Sequence, residues 1–130
     1  MSNIFFEVEN KYKLYSTKGA SEQQINAAEL KLKRKFSLEY KEYLAKYGAV
    51  SFGNVELTGL NVEKYANVVD VTNKEIQRNS AFPDGCIVLQ NTGVEGVLVL
   101  MEENGTVYYW QNGKKGSEYR TLHDFILSLV

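Results

Sequence analysis

The chain has 130 residues, of which 44% are apolar and 24% charged, and its formal net charge is −1. This composition is that of an ordinary soluble globular protein, and we expect one domain over residues 1–130. A net charge this close to zero produces no strong electrostatic attraction to nucleic acid or to an anionic membrane.

The cellular compartment is predicted from the single cysteine and from the apolar runs. Cys86 has no partner for an internal disulfide, which is typical of a reducing compartment. The N-terminus lacks the pattern of a secretory signal, and no apolar run has the length of a membrane span. We therefore expect a cytoplasmic protein. The nine tyrosines suit interfaces, although most of them are expected in or near the core.

The first half of the chain predicts three helices in succession. The segment Ile4–Tyr15 predicts a short one. A second begins at Ser21, which forms a capping box with Gln24, each side chain bonding the backbone N–H of the other residue. A third begins at Ser37 and ends at Gly48 in a left-handed C-cap. The residues at helical spacing are Phe5, Val8 and Tyr12 in the first helix, Ile25, Ala28, Leu32 and Phe36 in the second, and Tyr40, Tyr43, Leu44 and Tyr47 in the third.

The second helix carries a basic run on its other face. Lys31, Lys33, Arg34 and Lys35 lie near its C-terminus, where the helix macrodipole favours cations. We interpret the run as a solvated face in preference to a nucleic-acid patch, because isolated charge patterns are weak evidence of binding.

The chain after Gly48 predicts mainly strands. Val50–Phe52 and Val55–Leu57 are short β-rich runs separated by a Gly-Asn pair, which indicates a hairpin. Tyr65–Gln77 predicts a helix, with a partial strand as the alternative because of its β-branched content. After a turn, Cys86–Leu89 predicts a buried strand.

The stretch Val97–Trp110 predicts a second hairpin. Asn104-Gly105 is the preferred pair for a two-residue type I′ turn, which would pair Met101 with Tyr108. One face would then carry Val97, Val99, Met101, Tyr108 and Trp110, and the other Leu98, Leu100, Val107 and Tyr109. Both faces are apolar, whereas a surface hairpin alternates apolar and polar residues, so each face needs a cover.

The chain is predicted to close with a loop and a helix. The loop covers Gln111–Arg120, and Thr121 caps the helix with Asp124 three residues later. The apolar face of this helix is Leu122, Phe125, Ile126 and Leu129. Strands joined by tight turns, with helices before and after them, predict an α+β fold with an antiparallel sheet and the helices packed on one side.

Few residues suit catalysis or metal binding. The only histidine, His123, is followed by Asp124, and adjacent residues on a helix do not face each other, so we interpret it as structural or exposed. Cys86 opens an apolar strand, where cysteine acts as a small hydrophobe. Glu102 and Glu103 point to opposite faces and make a poor acid pair. We predict no catalytic residue, cofactor or metal.

The ordered motifs from Gly19 onward resemble the SMI1/KNR4 (SUKH) superfamily. That family opens a helix at Ser or Thr, continues with L-P-x-x-Y-K-x-x-L and x-Y-G, and ends a short strand with x-G-L. The matching residues here are Ser21, Leu38, Tyr40, Lys41, Leu44, Tyr47, Gly48, Gly59 and Leu60. A later strand, a G-D-like turn and x-G-x-V-Y-x-W are matched by Cys86–Leu89, Gly96, Gly105, Val107, Tyr108 and Trp110.

Two positions depart from the family pattern. The proline usual after Leu38 is Glu39, which the first turn of a helix accepts equally well. The acidic residue usual after the G-D glycine is Val97, so a role of that acidic side chain is not carried over to this chain.

The resemblance implies an α+β fold and, for bacterial members, an immunity protein that binds and neutralises the toxin domain of a polymorphic or contact-dependent system. Such a toxin is often a nuclease. Fungal relatives act in cell-wall signalling, and neither branch implies a catalytic site. Two other functions stay open: a regulatory domain with an endogenous partner, and a small-molecule-binding or enzymatic domain with a pocket lined by Tyr and Trp.

An immunity role suggests that one face of the 97–110 hairpin binds the partner. Met101, Tyr108 and Trp110 would meet the toxin, because Trp and Tyr are common hot-spot anchors. An acidic rim against a basic nuclease would consist of Glu56, Glu95, Glu102 and Glu103. Alternatively, the N-terminal segment or the 111–120 loop covers this face, or the chain forms a homodimer through it. No direct nucleic-acid or membrane partner is expected.

Overall fold

The computed structural model describes residues 3–130, in which helices alternate with short strands. The helices are α1 Phe6–Glu9, α2 Glu22–Leu32, α3 Leu38–Tyr47, α4 Val68–Arg78 and α5 Leu122–Leu127. The strands are β1 Tyr15–Ser16, β2 Val50–Phe52, β3 Val55–Glu56, β4 Ile87–Asn91, β5 Val97–Met101, β6 Val107–Gln111 and β7 Lys114–Tyr119. A 3-10 turn over Lys64–Ala66 leads into α4. In this part of the chain, no helix combines the length and the apolar character that a membrane crossing requires.

Side-chain caps begin the longer helices. The predicted capping box is confirmed, because the Ser21 hydroxyl accepts from the N–H of Gln24 and the Gln24 side chain accepts from the N–H of Ser21. The Ser37 hydroxyl caps α3 by accepting from a backbone N–H one turn later. Asn67 caps α4, so the segment Tyr65–Gln77 is helical after this cap and the alternative strand is wrong.

The helix predicted over Ile4–Tyr15 is wrong beyond its first turn. Only α1 is helical, and Tyr15 lies in β1, where it pairs with Ser51 of β2. The first two apolar residues of the predicted stripe are buried, whereas Tyr12 is 40% exposed. A short helix is marginal by itself, so pairing of this backbone with β2 outweighs the local preference.

The strands form two antiparallel sheets that meet at a hydrogen-bonded seam. The first sheet has the order β1-β2-β3 and the second the order β4-β5-β6-β7. At the seam, Leu57 forms a bridge with Gln90, and the backbone N–H of Thr58 donates to the carbonyl of Leu89 at 2.8 Å. The Thr58 hydroxyl donates to the carbonyl of Val88, also at 2.8 Å. The seam therefore links the edges of the two sheets by hydrogen bonds.

Two glycines of the family-like motifs lie against each other. Gly48 ends α3 with φ 72° and ψ −77°, so φ is positive as expected, although ψ lies outside the left-handed helical region. The N–H of Leu60 donates to the Gly48 carbonyl oxygen at 3.0 Å. A Cβ on Gly59 would collide with the same oxygen. Glycine is therefore required at position 59 by a close approach of two backbones.

The β5–β6 hairpin does not have the predicted register. Met101 pairs with Val107 instead of Tyr108, because the loop contains three residues instead of two. Of the Asn-Gly pair only Gly105 has a positive φ, 99°, as in a type I turn followed by a bulge. One extra residue in the loop exchanges the faces of one strand. The predicted grouping of Met101 with Tyr108 and Trp110 on one face is therefore wrong.

The segment predicted as a loop, Gln111–Arg120, contains strand β7. The turn before it is Asn112-Gly113, whose φ values of 49° and 86° are both positive, and Gln111 pairs with Lys114 across it. The two-residue Asn-Gly turn therefore forms here and not at 104–105. Nearly all side chains of β7 are exposed, so its sequence does not alternate between apolar and polar residues. The pattern that indicates a strand is therefore missing.

Each face of the second sheet has its own hydrophobic cluster. The main cluster joins one face to side chains of α1, α2, α3 and α5 and to the first sheet. The other, here called the α4 cluster, consists of Val71, Phe82, Cys86, Val88, Leu98, Leu100, Tyr108 and Trp110. Both faces of the hairpin are thus covered by this chain. The main cluster, which includes Phe5 and Val8 of the N-terminal segment, covers the face of Met101, and α4 with the 82–86 segment covers the face of Tyr108 and Trp110. The α+β class with antiparallel strand pairing is confirmed, but the strands form two sheets, and the helices lie on both faces of the second sheet and not on one side as predicted.

Candidate partner-binding surface

The three hydrophobic residues predicted to meet a partner are buried. Trp110 and Tyr108 each expose 4% of their surface and Met101 exposes 1%. The Trp110 ring packs edge-on against Phe82 with ring centroids 5.8 Å apart. On the opposite face of the sheet, the Met101 sulfur lies 3.3 Å from the Ser37 hydroxyl oxygen. None of the three presents an appreciable contact area to a partner.

The four predicted acidic residues lie at three separate places. Glu56 is exposed on β3, and Glu95 is exposed in the loop between β4 and β5. Glu102 and Glu103 lie at the β5–β6 turn, where Glu103 borders an open cleft together with Lys33 and other residues of α2. The structure therefore does not bring the four together into one acidic rim.

Arg34, from the basic run, is half-buried and packs against the 82–86 segment. Its guanidinium donates to the carbonyl oxygens of Pro83 at 3.0 Å and Cys86 at 2.6 Å, and it lies 5.4 Å from the centroid of the Phe82 ring. These contacts fix the 82–86 segment over the α4 cluster. The three lysines of the run are exposed.

The single cysteine and the single histidine have different surroundings. Cys86 is buried beside the Tyr108 hydroxyl, 3.4 Å away, and burial raises the pKa of its thiol. A thiol with a raised pKa is a weak nucleophile at neutral pH. His123 Nε2 lies 3.7 Å from a Glu7 carboxylate oxygen. Within residues 3–130, no three His, Cys, Asp or Glu side chains are placed to hold a metal ion.

Exposed tyrosines surround the solvent face of the first sheet. Tyr15 exposes 57% of its surface and Tyr65, in the 3-10 turn, exposes 67%. Tyr15, Ser51 and Glu56 are cross-strand neighbours and form one row over β1, β2 and β3. Tyr12 does not belong to this row, because its ring packs on the buried Phe52 with ring centroids 5.8 Å apart. We call the patch of Tyr15, Ser51, Glu56 and Tyr65 the tyrosine surface.

A groove runs through the tyrosine surface. Its volume is about 160 Å³, and it is lined by residues that include Tyr15, Ser51, Glu56 and Tyr65. Glu56 is the only charged side chain among the described lining residues. The Ser51 and Glu56 side chains make no hydrogen bond or ion pair within the described part of the chain, so both are available to a partner.

Sequence reasoning selected Glu56 but missed the tyrosines around it. Tyr15 was assigned to the end of a helix and Tyr65 to the start of another, so neither was expected on a sheet face. The available signal was the Tyr-Ser-Thr stretch at 15–17, since β-branched and aromatic residues favour a strand.

These features define a small α+β domain with exposed tyrosines at the solvent face of its first sheet. A family model, SUKH_5, described as SMI1-KNR4 cell-wall, matches residues 1–130. The chain therefore belongs to the SMI1/KNR4 (SUKH) family, as the motifs had indicated.

The fold is similar to that of a solved structure of a protein from Pseudomonas syringae pv. tomato. The TM-score is 0.81, and the match covers 97% of this chain and 95% of the other. Because the two sequences are 16% identical, this likeness shows the fold alone.

Proposed function

We propose that this chain is an immunity protein that binds the toxin domain of a polymorphic or contact-dependent system and neutralises it in the producing cell. Membership of the SMI1/KNR4 (SUKH) family supports this role. In this proposal the chain acts by binding and not by catalysis, and its partner is a protein.

The tyrosine surface is the observation that carries the proposal. Large half-exposed rings are costly to leave in water, and they supply binding energy when a partner covers them. Tyr, Ser, Gly and Asn predominate at adaptable protein-binding surfaces, and here Tyr15 and Tyr65 line one groove together with Ser51. We therefore place the toxin contact on this surface, with the β5–β6 hairpin as scaffold.

The test is a co-purification of tagged chain from its own cells, with a high-salt wash and identification of the bound proteins by mass spectrometry. We expect a stoichiometric toxin domain. The double variant Tyr15→Ala/Tyr65→Ala should bind it at least about 30-fold more weakly, which is about 2 kcal/mol. Both residues are exposed, so circular dichroism should show an unchanged fold.

The matched control removes exposed apolar side chains elsewhere. Leu30 and Leu38 expose 77% and 75% of their surface and lie on α2 and α3. The variant Leu30→Ala/Leu38→Ala should retain the toxin domain fully. Recovery of a stoichiometric housekeeping protein in place of a toxin would contradict the immunity role and favour a regulatory domain.

A further inference from the structure

We propose that the groove of the tyrosine surface receives a single arginine side chain of the protein partner. This inference rests on the proposed function, because it names the chemistry of the partner at that surface. Tyr15 and Tyr65 would flank the guanidinium group, and the Glu56 carboxylate would pair with it.

The size of the groove favours one side chain over a small-molecule ligand. Ligand pockets typically enclose about 300–1,000 Å³. The groove is about 160 Å³, below that range. Ser51 lies between Tyr15 and Glu56 in the cross-strand row, and its short side chain leaves the space between them open. A side chain that enters from a partner surface fits this space.

The charge of the groove selects a cation. Glu56 is exposed and is the single charge among the described lining residues, so a cationic group gains attraction without displacing an existing ion pair. The ring of Tyr15 already attracts a cation in the free chain, since Lys13 Nζ lies 5.4 Å from its centroid.

The chemistry of the lining favours arginine over lysine. A guanidinium group is planar, stacks on aromatic faces and binds a carboxylate through two parallel hydrogen bonds. The Ser51 hydroxyl offers a further acceptor beside the carboxylate. An ammonium group would satisfy the charge but would not stack on the two tyrosine rings. A partner with an exposed arginine also fits the basic surface expected of a nuclease.

The direct test is an NMR titration of the ¹⁵N-labelled chain with the peptide acetyl-Ser-Arg-Ser-amide at low ionic strength. Saturable shifts are expected at residues 51, 56 and 65, with a dissociation constant on the order of millimolar. The peptide with citrulline in place of arginine has the same shape without the charge, and it should bind at least about tenfold more weakly. Shifts of equal size with citrulline, or none at these residues with arginine, would overturn the proposal.

The matched variants are Glu56→Gln and Glu95→Gln, both at exposed acids, of which only Glu56 lies in the groove. The first should weaken arginine-peptide binding by about threefold to fivefold and the second should leave it unchanged. Equal binding by wild type and Glu56→Gln would refute the arginine site.

The two proposals fail independently. If the arginine peptide binds at Glu56 but no toxin domain co-purifies, the immunity role fails and the arginine site stands. If the toxin domain co-purifies equally with wild type and with Glu56→Gln, and the peptide does not bind, the arginine site fails and the immunity role stands.

Discussion

Trp110 lies within the α4 cluster, where its ring meets Phe82 and its surface is almost wholly removed from water. A Trp side chain of this kind fills a large volume, and its removal leaves a cavity that the neighbouring strands cannot fill. At the residue scale, burial therefore assigns Trp110 to the core of the sheet and not to its contact surface.

The variant Trp110→Ala should lose about 3–5 kcal/mol of unfolding free energy, because it loses both the burial of the ring and the packing around it. Urea unfolding followed by circular dichroism measures this change. A variant that keeps the wild-type midpoint but loses partner binding would contradict the core assignment and restore Trp110 to the interface.

At the scale of elements, Glu39 connects α3 to α5. Its carboxylate accepts from the backbone N–H of Leu122 at 2.6 Å and of His123 at 3.1 Å. These N–H groups lie in the first turn of α5. The N–H groups of a first turn find no hydrogen-bond acceptor within their own helix. The Thr121 hydroxyl caps the next donor, at Asp124. Glu39, which stands where the family usually has proline, thus fixes the N-terminus of α5 against α3.

The variant Glu39→Ala should be less stable by about 1–2 kcal/mol, since two N–H groups at a helix N-terminus lose a charged acceptor. Glu39→Gln keeps one acceptor oxygen and should lose less. Thermal unfolding of both variants measures the difference. Glu42→Ala, at an exposed position on the same helix, is the control and should lie within about 0.5 kcal/mol of wild type. Equal losses in all three variants would refute the capping role.

At the scale of the whole molecule, two buried tyrosines of α3, Tyr40 and Tyr43, form hydrogen bonds to the seam between the two sheets. The Tyr43 hydroxyl donates to the carbonyl of Thr58 at 3.0 Å and accepts from the N–H of Val50 at 2.9 Å. The Tyr40 hydroxyl lies 3.0 Å from the Thr58 hydroxyl. Burial raises the pKa of both tyrosines well above the ordinary value.

The unfolding free energy should therefore fall as the pH rises above about 10, the ordinary tyrosine pKa. Below that pH both tyrosines are neutral in the folded and the unfolded chain. Above it the unfolded chain loses protons that the folded chain retains, so stability falls by up to about 1.4 kcal/mol per pH unit for each group. Urea unfolding between pH 8 and 11 measures the slope.

Tyr40→Phe supplies the control for this pH dependence. It removes one titrating hydroxyl. Above pH 10, its unfolding free energy should therefore fall less steeply with pH than that of wild type, by up to about 1.4 kcal/mol per pH unit. An identical slope in the two proteins would show that Tyr40 does not contribute to the alkaline transition.

Much of the fold was predictable from local patterns. The capping box at Ser21, the helix after Asn67 and the β2–β3 hairpin all follow from residues within four positions of each other. Strand β1 was not predictable, because its two residues form a strand only by pairing with β2. Of the candidate site, Glu56 was predicted, as one member of an acidic rim that the structure does not form. The tyrosine surface was not, since residues 15, 56 and 65 meet only after the chain has folded.

The sequence by itself determined the α+β class, the helix starts at the caps Ser21, Ser37 and Thr121, and the apolar identity of the central hairpin, because capping and hydrophobic period act over a few residues. Its ordered motifs also determined the family. Only the tertiary structure decided the hairpin register, the cover of its second face and the place of the exposed tyrosines. One residue in the loop at Gly105 sets which face each side chain takes. The packing of α4 and the pairing of β1 then decide which faces stay open to a partner.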